Sequence, residues 1–473
     1  MSVAQFKPHQ TEAYDAAISE VVAGKGSAKG RIVIPTAGGK TWIEAAILDY
    51  QRQHNSKTRI HLVLAPRILL ANQLIDEYRA FSGMHYRSIA FHSGKYEPES
   101  ETINWKETNT TQVHDVMQAW IDATACGQDL VIFSTYHSCD RLTGINFDTL
   151  IADESQYCVS ENFNESIRKL SARVSLFFTA TEKFTASSAG RGLNNESTYG
   201  KRLYAVSAQT LIARGIIVAP RLHIMYGNTK NEEKSIINEI IELATAQDAL
   251  TRPELGFSKI LFAMKGTKDV KTITDNLAKI KVAFPDHDVC TITSKSGAKV
   301  NGVKIKNKEG FVKEIKTSSN CLIFHYDILS EGIDVDGITG VCLLRNLGLA
   351  KLLQTIGRAI RIYKLNPNLK KQAWISIPVI NGNEDDKAYV KLCVEAMRSG
   401  GFDISKEDVV EGGTRHSSDD DEGPDDAYGK LKSNFSNLFI TEILHEVEQS
   451  EFWDKINSAG DINAQLDAFL SEV

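Results

Sequence analysis

The sequence contains little that would cross-link, anchor or interrupt a fold. It has ten prolines and seven cysteines, and no two cysteines lie at the Cys-x-x-Cys spacing of a zinc or redox motif. We therefore expect reduced thiols and no zinc site. The longest apolar runs, such as Ile260–Met264, are far shorter than the roughly 20 residues that cross a bilayer, and the N-terminus lacks an apolar signal core. We expect a cytoplasmic protein without a membrane partner.

The sequence also lacks an excess of positive charge. Its formal net charge is −6, which alone does not indicate a nucleic-acid binder. The charge is unevenly distributed, however: residues 295–316 carry seven lysines and two glutamates, whereas residues 419–426 carry six acids and no base. The basic stretch is expected either to contact a polyanion or to form a solvated helix-loop face. The acidic run is expected to be a linker, the alternative being an autoinhibitory mimic of phosphate.

Strand-like and helix-like stretches alternate along most of the chain, which is typical of an α/β protein with doubly wound parallel sheets. The pattern restarts around residues 200–220, so we predict two lobes, at 1–206 and 207–380. A strand near Ala373–Val379 would close the second lobe. Residues 381–473 are predicted to form a mostly helical C-terminal region with an acidic linker at about 411–428. That region either packs on the lobes or docks a protein partner.

A glycine-rich turn between a predicted strand and a predicted helix gives the first chemical signal. It reads Thr36, Ala37, Gly38, Gly39, Lys40 and Thr41. Small residues let backbone N–H groups approach a triphosphate, and the helix start adds a positive end. Lys40 can reach the β- and γ-phosphates, and the Thr41 hydroxyl can hold Mg²⁺. The general P-loop begins with glycine where Ile34 stands, and the alternative is an ordinary strand-to-helix turn.

Two carboxylates follow an apolar strand that ends at Ala152. Ligands of open α/β sheets sit at the carboxyl ends of strands. Asp153 suits Mg²⁺ coordination, and Glu154 is placed to orient or deprotonate an attacking water. The alternative is a solvated pair of acids in a loop.

An arginine pair in the second lobe gives the third signal. Arg358 and Arg361 would share a helix face, where two guanidinium groups can clamp a γ-phosphate. Gln354 precedes them and could help to direct the water. Because neither arginine belongs to the first lobe, the pattern implies catalysis on lobe closure. A solvated basic helix face is the alternative.

These three signals in this order resemble those of superfamily 2 helicases, and further motifs of that superfamily follow over roughly residues 5–380. The resemblance implies two tandem RecA-like domains, ATP as the nucleotide and Mg²⁺ as its metal. It assigns Phe6 and Gln10 to adenine binding, and Gly332 and Asp334 to the ribose and the lobe interface. Thr179 and Thr181 would couple ATP to strand movement. Ser155 and Gln156 depart from the usual form of the acidic motif.

The nucleic-acid contacts are expected where predicted strands end, since helicase motors hold the phosphate backbone by hydroxyls, amides and positive charge. The candidates in the first lobe are Pro66, Arg67, Ser134, Thr135 and Tyr136. The candidates in the second lobe are Lys265, Thr293, Ser294 and Lys295. No aromatic ladder accompanies them, so we expect little sequence specificity.

Within the superfamily, the stretches Glu331–Asp334 and Gln354–Arg361 look most like UvsW-type phage recombination helicases and the motor subunits of type I and III restriction enzymes. This likeness implies a viral-type motor that unwinds or remodels duplex or branched DNA in replication, recombination or repair. DEAD-box RNA helicases usually carry histidine where Gln354 stands. The alternatives are an RNA helicase and a non-motor ATP switch that binds a protein partner, and ATPase rates with DNA, RNA or no polymer would separate them.

Overall fold

A computed structural model of the chain divides into two compact units, which we call lobe one (Met1–Ser207) and lobe two (Ala208–Ser450). The residues that the structure describes are 5–22, 27–54, 57–82, 86–94, 96, 109–185, 190–226, 236–293, 296–306, 308–326, 335, 337–345, 347, 349–363, 369–370, 372–379, 384–399, 402, 404–405, 408–413 and 443–444.

Lobe one alternates strands and helices. Its strands are β1 (Ala28–Val33), β2 (Ile60–Ala65), β3 (Tyr86–Phe91), β4 (Asn109–Thr110), β5 (Asp129–Thr135), β6 (Asn146–Ala152), β7 (Ser171–Thr179) and β8 (Lys201–Ala205). Its helices are α1 (Pro8–Ala17), α2 (Lys40–Gln53), α3 (Ile68–Ser82), α4 (Val113–Ala125), α5 (Glu161–Lys169) and α6 (Glu196–Tyr199).

The strands of lobe one form a parallel sheet. Across the described residues its order is β4-β3-β5-β2-β6-β7-β1-β8, and each of these neighbouring pairs is parallel. Every residue of β2 and β5 is buried, because helices cover both faces of such a sheet. Leu62, Leu64, Phe91 and Ile132 lie in the core that results.

Lobe two repeats the alternation. Its strands are β9 (Ala219–Tyr226), β10 (Ser258–Ala263), β11 (Asp288–Thr293), β12 (Gly297–Val300), β13 (Val303–Ile305), β14 (Asn320–His325), β15 (Gly340–Leu343), β16 (Gln372–Val379) and β17 (Val409–Gly413). Its helices are α7 (Ala208–Ala213), α8 (Ile236–Leu255), α9 (Thr267–Asp275), α10 (Leu277–Ala283), α11 (Lys308–Thr317), α12 (Leu349–Ala359) and α13 (Glu384–Ser399).

The sheet of lobe two is parallel over most of its width. Across the described residues its order is β13-β12-β11-β14-β10-β15-β16-β9-β17, and only β12 and β13 run antiparallel to their neighbours. Ile260, Phe262, Leu322 and Phe324 pack in its core. The two parallel-dominated sheets with their helices confirm the predicted α/β architecture of tandem RecA-like domains.

Two sequence expectations for lobe two need correction. The strand near Ala373–Val379 does not close the sheet, because Val409–Gly413 adds a further strand beside β9 and overlaps the start of the predicted linker. The basic stretch begins as a β-hairpin at the sheet edge rather than as a helix-loop face. Asn301 and Gly302 form its turn with φ values of 49° and 82°, the backbone that a two-residue hairpin turn requires.

Lysines line the edge that this hairpin forms. Lys299 and Lys304 lie directly opposite each other in the ladder between β12 and β13. Edge strands of soluble proteins often carry lysine, which discourages pairing with another chain. The arrangement is therefore explained by protection of the sheet edge.

The predicted acidic linker beyond residue 413 lies outside the described residues. In the part of the chain that the structure describes, no helix is long and apolar enough to cross a membrane.

Candidate nucleotide-binding site

The glycine-rich turn lies between β1 and α2, as the sequence predicts. Ala37 and Gly39 adopt left-handed φ values of 69° and 82°, which turn successive backbone N–H groups toward one concavity, as in anion-binding nests. The φ of Gly39 favours glycine at this position, and a Cβ there would lie 2.5 Å from Gln10 Nε2 and displace that amide group.

Ile34 explains why this turn departs from the general P-loop pattern. Its amide donates to the Thr179 carbonyl at 3.0 Å, so the residue extends the pairing of β1 with β7. Its own carbonyl accepts from Lys40 Nζ at 3.4 Å. The chain therefore begins its turn one residue later than a leading glycine would, while Lys40 still lies at the start of α2.

Two side chains of helix α1 contact backbone carbonyl groups of the glycine-rich turn. Gln10 donates from Nε2 to the Gly39 carbonyl at 3.1 Å, and its Oε1 accepts the Lys7 amide at 3.0 Å. The His9 Nε2 atom lies 2.7 Å from the Gly38 carbonyl. The structure thus places the segment that is predicted to bind adenine beside the glycine-rich turn. The sequence reading missed His9, whose signal was its place immediately before Gln10.

Phe6, the other predicted adenine contact, belongs to an aromatic cluster beside the turn. Its ring centroid lies 6.0 Å from those of Tyr14 and Phe81. Trp42 joins the cluster through Phe81 at 5.7 Å. These rings offer an apolar surface next to α1 and α2.

The acidic pair lies at the carboxyl end of β6, beside Lys40. Glu154 has left-handed backbone angles, φ 50° and ψ 50°, and its amide donates to Asp153 Oδ1 at 2.9 Å. Its carboxylate lies 3.7 Å from Lys40 Nζ. A non-glycine residue held in this conformation stores strain of the kind that clusters at functional sites. Burial, followed by the nearby Glu154 charge, raises the pKa of Asp153 from 3.8 to about 7.

A hydrogen-bonded relay connects the acidic pair to the predicted coupling segment. Gln156 donates from Nε2 to Glu154 Oε2 at 2.9 Å, and the Thr179 hydroxyl lies 2.7 Å from Gln156 Oε1. The Thr181 amide donates to the Thr179 hydroxyl at 3.1 Å. Gln156, a departure from the usual motif, therefore joins the lysine–glutamate pair to both threonines.

Glu44 is a third carboxyl group in this neighbourhood, which the sequence reading did not identify. It is fully buried on α2 and accepts a hydrogen bond from the Tyr78 hydroxyl at 3.0 Å. Burial first, and then the charge of Asp153, raise the pKa of Glu44 well above its ordinary value. Only its place on the helix that begins with Lys40 could have indicated it.

Three predicted nucleic-acid contacts in lobe one are corrected by their burial. Tyr136 is 1% exposed, and its hydroxyl donates to the Asp153 carbonyl at 2.7 Å. Ser134 donates to the Phe91 carbonyl at 3.0 Å, and the Thr135 hydroxyl donates to that of Ser138 at 3.2 Å. The Tyr136 hydroxyl therefore supports the acidic strand end, and all three side chains bond within lobe one. Pro66 is also buried, which leaves Arg67 exposed among the predicted contacts.

The predicted nucleic-acid contacts in lobe two also include both exposed and buried side chains. Lys265 is exposed just after β10. Thr293 is 2% exposed, and its hydroxyl accepts the Ser296 amide at 2.9 Å, so the expected polymer contact through its side chain is corrected. Ser294 and Lys295 lie outside the described residues, as do the predicted nucleotide contacts Gly332 and Asp334.

The expectation that the two arginines share a helix face is wrong for Arg361, because α12 ends at Ala359 and only Arg358 lies within it. Arg358 is 7% exposed. Arg361, just beyond the helix, forms a β-bridge with Ile217. Gln354 lies in the same helix, but its side chain is outside the described part of the structure. Within lobe two the chain therefore brings both arginines to one helix end.

Comparisons with known proteins concern the family and the fold of the chain. Residues 4–184 match the family model described as type III restriction enzyme, res subunit. No curated protein matches the sequence. Among solved structures, the chain is similar to the ATP-dependent type ISP restriction-modification enzyme LlaBIII bound to DNA, with a TM-score of 0.71 at 15% identity over 93% of this chain and 33% of that chain.

Two further structures share the fold. Mss116p bound to ssRNA and AMP-PNP matches with a TM-score of 0.53 at 14% identity, over 87% of this chain and 74% of that chain. The Mycobacterium smegmatis helicase Lhr bound to ssDNA and AMP-PNP matches with a TM-score of 0.53 at 16% identity, over 85% and 49%. The chain spans about a third of the length of the restriction enzymes that it matches first. The family match covers residues 4–184, within lobe one, and the solved structures show that the chain shares the two-lobed fold of helicase motors.

Proposed function

We propose that this protein hydrolyses ATP and uses the reaction to move along, unwind or remodel duplex or branched DNA. The observation that carries the proposal is the relay from Lys40 through Glu154 and Gln156 to Thr179. Such a relay gives the group that contacts a phosphate a direct connection to a segment outside the nucleotide site. A protein that only bound ATP would not need this connection between a water-activating carboxylate and a coupling segment.

In this proposal the nucleotide binds at the turn before α2. Backbone N–H groups from Thr36 to Thr41 face the phosphates, Lys40 binds the β- and γ-phosphates, and Gln10 with Phe6 holds the base. The Thr41 hydroxyl and the Asp153 carboxylate are oxygen donors of the kind that Mg²⁺ prefers. The raised pKa of Asp153 supports this fit, because buried acids crowded together are relieved by a bound cation. When bound, Mg²⁺ supplies charge neutralisation at the phosphates.

Glu154 then acts as the general base of hydrolysis. It accepts a proton from a water whose oxygen attacks the γ-phosphorus, while the bond to the β-γ bridging oxygen breaks and ADP leaves. Arg358 and Arg361 are proposed to balance the charge that develops on the γ-phosphate. Since they belong to lobe two, turnover requires both lobes, which is how hydrolysis would be coupled to movement. Gln354 is proposed to help in directing the water.

Nucleic acid is proposed to contact both lobes through exposed cations after strand ends. Arg67 in lobe one and Lys265 in lobe two are the described residues best placed for this role. The proposal of duplex DNA draws support from the family match and from the TM-score of 0.71 with an enzyme whose structure is described as bound to DNA. RNA is the second candidate, because Mss116p is described as bound to ssRNA. A role in recombination or repair stays a prediction.

The test is steady-state ATP hydrolysis without polymer and with single-stranded DNA, duplex DNA, a four-way junction or RNA. We expect the strongest stimulation from duplex or branched DNA, and loss of stimulated turnover in Lys40→Ala and Glu154→Gln. Stimulation by RNA alone would replace the DNA proposal with an RNA motor. Equal rates with every polymer and with none would point to an ATP switch that acts on a protein partner.

A further inference from the structure

Lys370 is a buried cation that no motif accounts for. It is 2% exposed, and its ammonium group donates to the carbonyls of Ile338 at 2.6 Å and Arg361 at 2.9 Å. It also donates to the carbonyl of Ala359. Three donors thus meet three backbone acceptors, which is the full hydrogen-bonding capacity of an ammonium group.

These acceptors place the ammonium at the end of the helix that carries Arg358, beside the residues that lead to Arg361. Ala359 is the last residue of α12, and its carbonyl is one of those that a helix leaves without an internal partner. A positive charge at this position is also favoured by the helix dipole. Ile338 lies just before β15, so Lys370 connects the end of α12 to the segment that enters the sheet.

The opposite side of the same backbone is held by the segment that enters β9. The Val218 amide donates to the Ile360 carbonyl at 2.8 Å, and Ile217 pairs with Arg361. Carbonyl groups on three successive residues after Arg358, namely 359, 360 and 361, therefore each accept a hydrogen bond from outside the helix. The backbone between the two arginines is fixed from both sides.

We propose that Lys370 is a positioning residue that fixes the backbone carrying Arg358 and Arg361, and so sets the direction of both guanidinium groups toward the γ-phosphate. The part concerning the γ-phosphate rests on the proposed ATPase function. The part concerning the helix end does not. Positional errors of about 1 Å at a reacting centre can lower a rate about 10²-fold, so loss of this restraint affects turnover more than nucleotide binding.

Lobe two contains a matched control. Lys259 is 4% exposed and likewise donates to carbonyls at a helix end, those of Ile315 at 2.9 Å and Lys316 at 3.4 Å. The helix whose end Lys259 contacts is α11, and α11 carries no residue of the proposed site. Lys259→Met therefore removes the same kind of contact without disturbing the arginine pair.

The experiment compares Lys370→Met, Lys370→Gln, Lys370→Arg and Lys259→Met in the full chain. Steady-state kinetics with ATP and duplex DNA give kcat and KM, and hydrogen–deuterium exchange follows the amides of Ile360 and Val218. We expect Lys370→Met to lower kcat about 10- to 100-fold with KM for ATP within about twofold. The Gln and Arg variants should retain progressively more turnover, because they keep N–H donors. Lys259→Met should keep the wild-type kcat.

Exchange at Ile360 and Val218 should accelerate about tenfold or more in Lys370→Met and stay unchanged in Lys259→Met, since a lost charge-assisted hydrogen bond opens the structure locally. Wild-type exchange at both amides in Lys370→Met would overturn the proposal, as would equal kcat losses in the two Met variants. If the wild-type protein hydrolyses no ATP with any polymer, the proposed function fails, and the exchange data still decide whether Lys370 fixes the helix end.

Discussion

The two lobes share an architecture but hold their functional groups by different means. In lobe one, side chains bond to side chains: Lys40 approaches Glu154, Glu154 accepts from Gln156, and Gln156 bonds to Thr179. In lobe two, the arginine pair is held through its backbone, by Lys370 and by Ile217–Val218. In lobe one the candidate site residues are therefore joined through their side chains, whereas in lobe two the two arginines lie on a segment that is fixed through its backbone.

From this difference we infer that the two lobes would contribute in different ways to the proposed reaction. Side-chain relays respond to the chemical state of a ligand, because a change at one group alters the next hydrogen bond. A backbone-anchored segment keeps one direction whatever the ligand, which suits a group that must meet the nucleotide only at one stage of a cycle. Substitutions that disturb one lobe at a time should therefore separate binding, chemistry and coupling.

The largest expected effect comes from removing the charge that lobe two contributes. Arg361→Ala should lower kcat about 10³- to 10⁵-fold, the usual value of an arginine finger, while the Kd for a fluorescent ATP analogue stays near the wild-type value. Arg252→Ala is the control, because Arg252 is a surface cation of lobe two paired with Asp248 and Asp286. Near-normal turnover in Arg361→Ala would mean that lobe one completes the reaction alone.

The next effect concerns the base in lobe one. Glu154→Gln should lower kcat about 10²- to 10⁴-fold, because the amide cannot accept the proton from water, and ATP binding should persist. Asp129→Asn provides the control: Asp129 is a buried carboxylate of lobe one that accepts the Arg59 amide at 2.8 Å, and it lies at the start of β5, away from the strand ends that carry the acidic pair. An Asp129 variant as slow as the Glu154 variant would contradict a specific catalytic role for Glu154.

A smaller effect on ATPase activity is expected from removing the hydrogen bond between Gln156 and Thr179. Gln156→Ala and Thr179→Val each remove a partner of the bond between these side chains, and we expect each to reduce the stimulation of ATPase by DNA up to about tenfold. Their effects should not add, because both break the same connection. The double-mutant cycle should give a coupling of about 0.5–1.5 kcal/mol. If the effects of the two substitutions are independent, the bond between Gln156 and Thr179 does not couple DNA binding to ATP hydrolysis.

A separate prediction concerns stability instead of turnover, and it is the pH dependence that Asp153 contributes in lobe one. In the folded protein the pKa of Asp153 is raised from 3.8 to about 7, so between these values the folded state binds more protons than the unfolded state. The contribution of Asp153 to the free energy of unfolding should therefore fall as pH rises from about 4 to 7. His223 in lobe two acts in the opposite direction, because burial lowers its pKa from 6.5 to about 4. We therefore compare wild type and Asp153→Asn by urea unfolding at pH 5 and pH 8, where the difference between their two pH-dependent changes should be on the order of 2–4 kcal/mol. Equal changes in the two proteins would contradict the prediction.

The sequence predicts best where function depends on short local patterns. The turn at Gly39–Lys40 and the acids at Asp153–Glu154 require only neighbouring residues and an alternation of strands and helices, whereas the helix that would hold both arginines ends before Arg361. The match to the family model and the two sheets confirm the predicted fold class and the likeness to superfamily 2. The particular roles of these residues stay predictions.

The sequence fails where side-chain direction or distant contacts decide. Tyr136 follows a strand end, as a polymer contact would, but its hydroxyl turns inward to the Asp153 carbonyl. Strand position alone does not distinguish these directions, because the chain is already turning there. Glu44 and Lys370 belong to no motif, and their partners lie on other elements. The strand at Val409–Gly413 was not predicted, because it lies between helix α13 and an acidic run.

The most direct test of a motor on duplex DNA is displacement of a fluorescent third strand from a DNA triplex, followed in time with ATP present. We expect the wild-type protein to displace the third strand only when hydrolysable ATP is present. The Glu154→Gln and Arg361→Ala variants should not displace it. DNA-stimulated ATP hydrolysis without any displacement of the third strand would contradict translocation along the duplex.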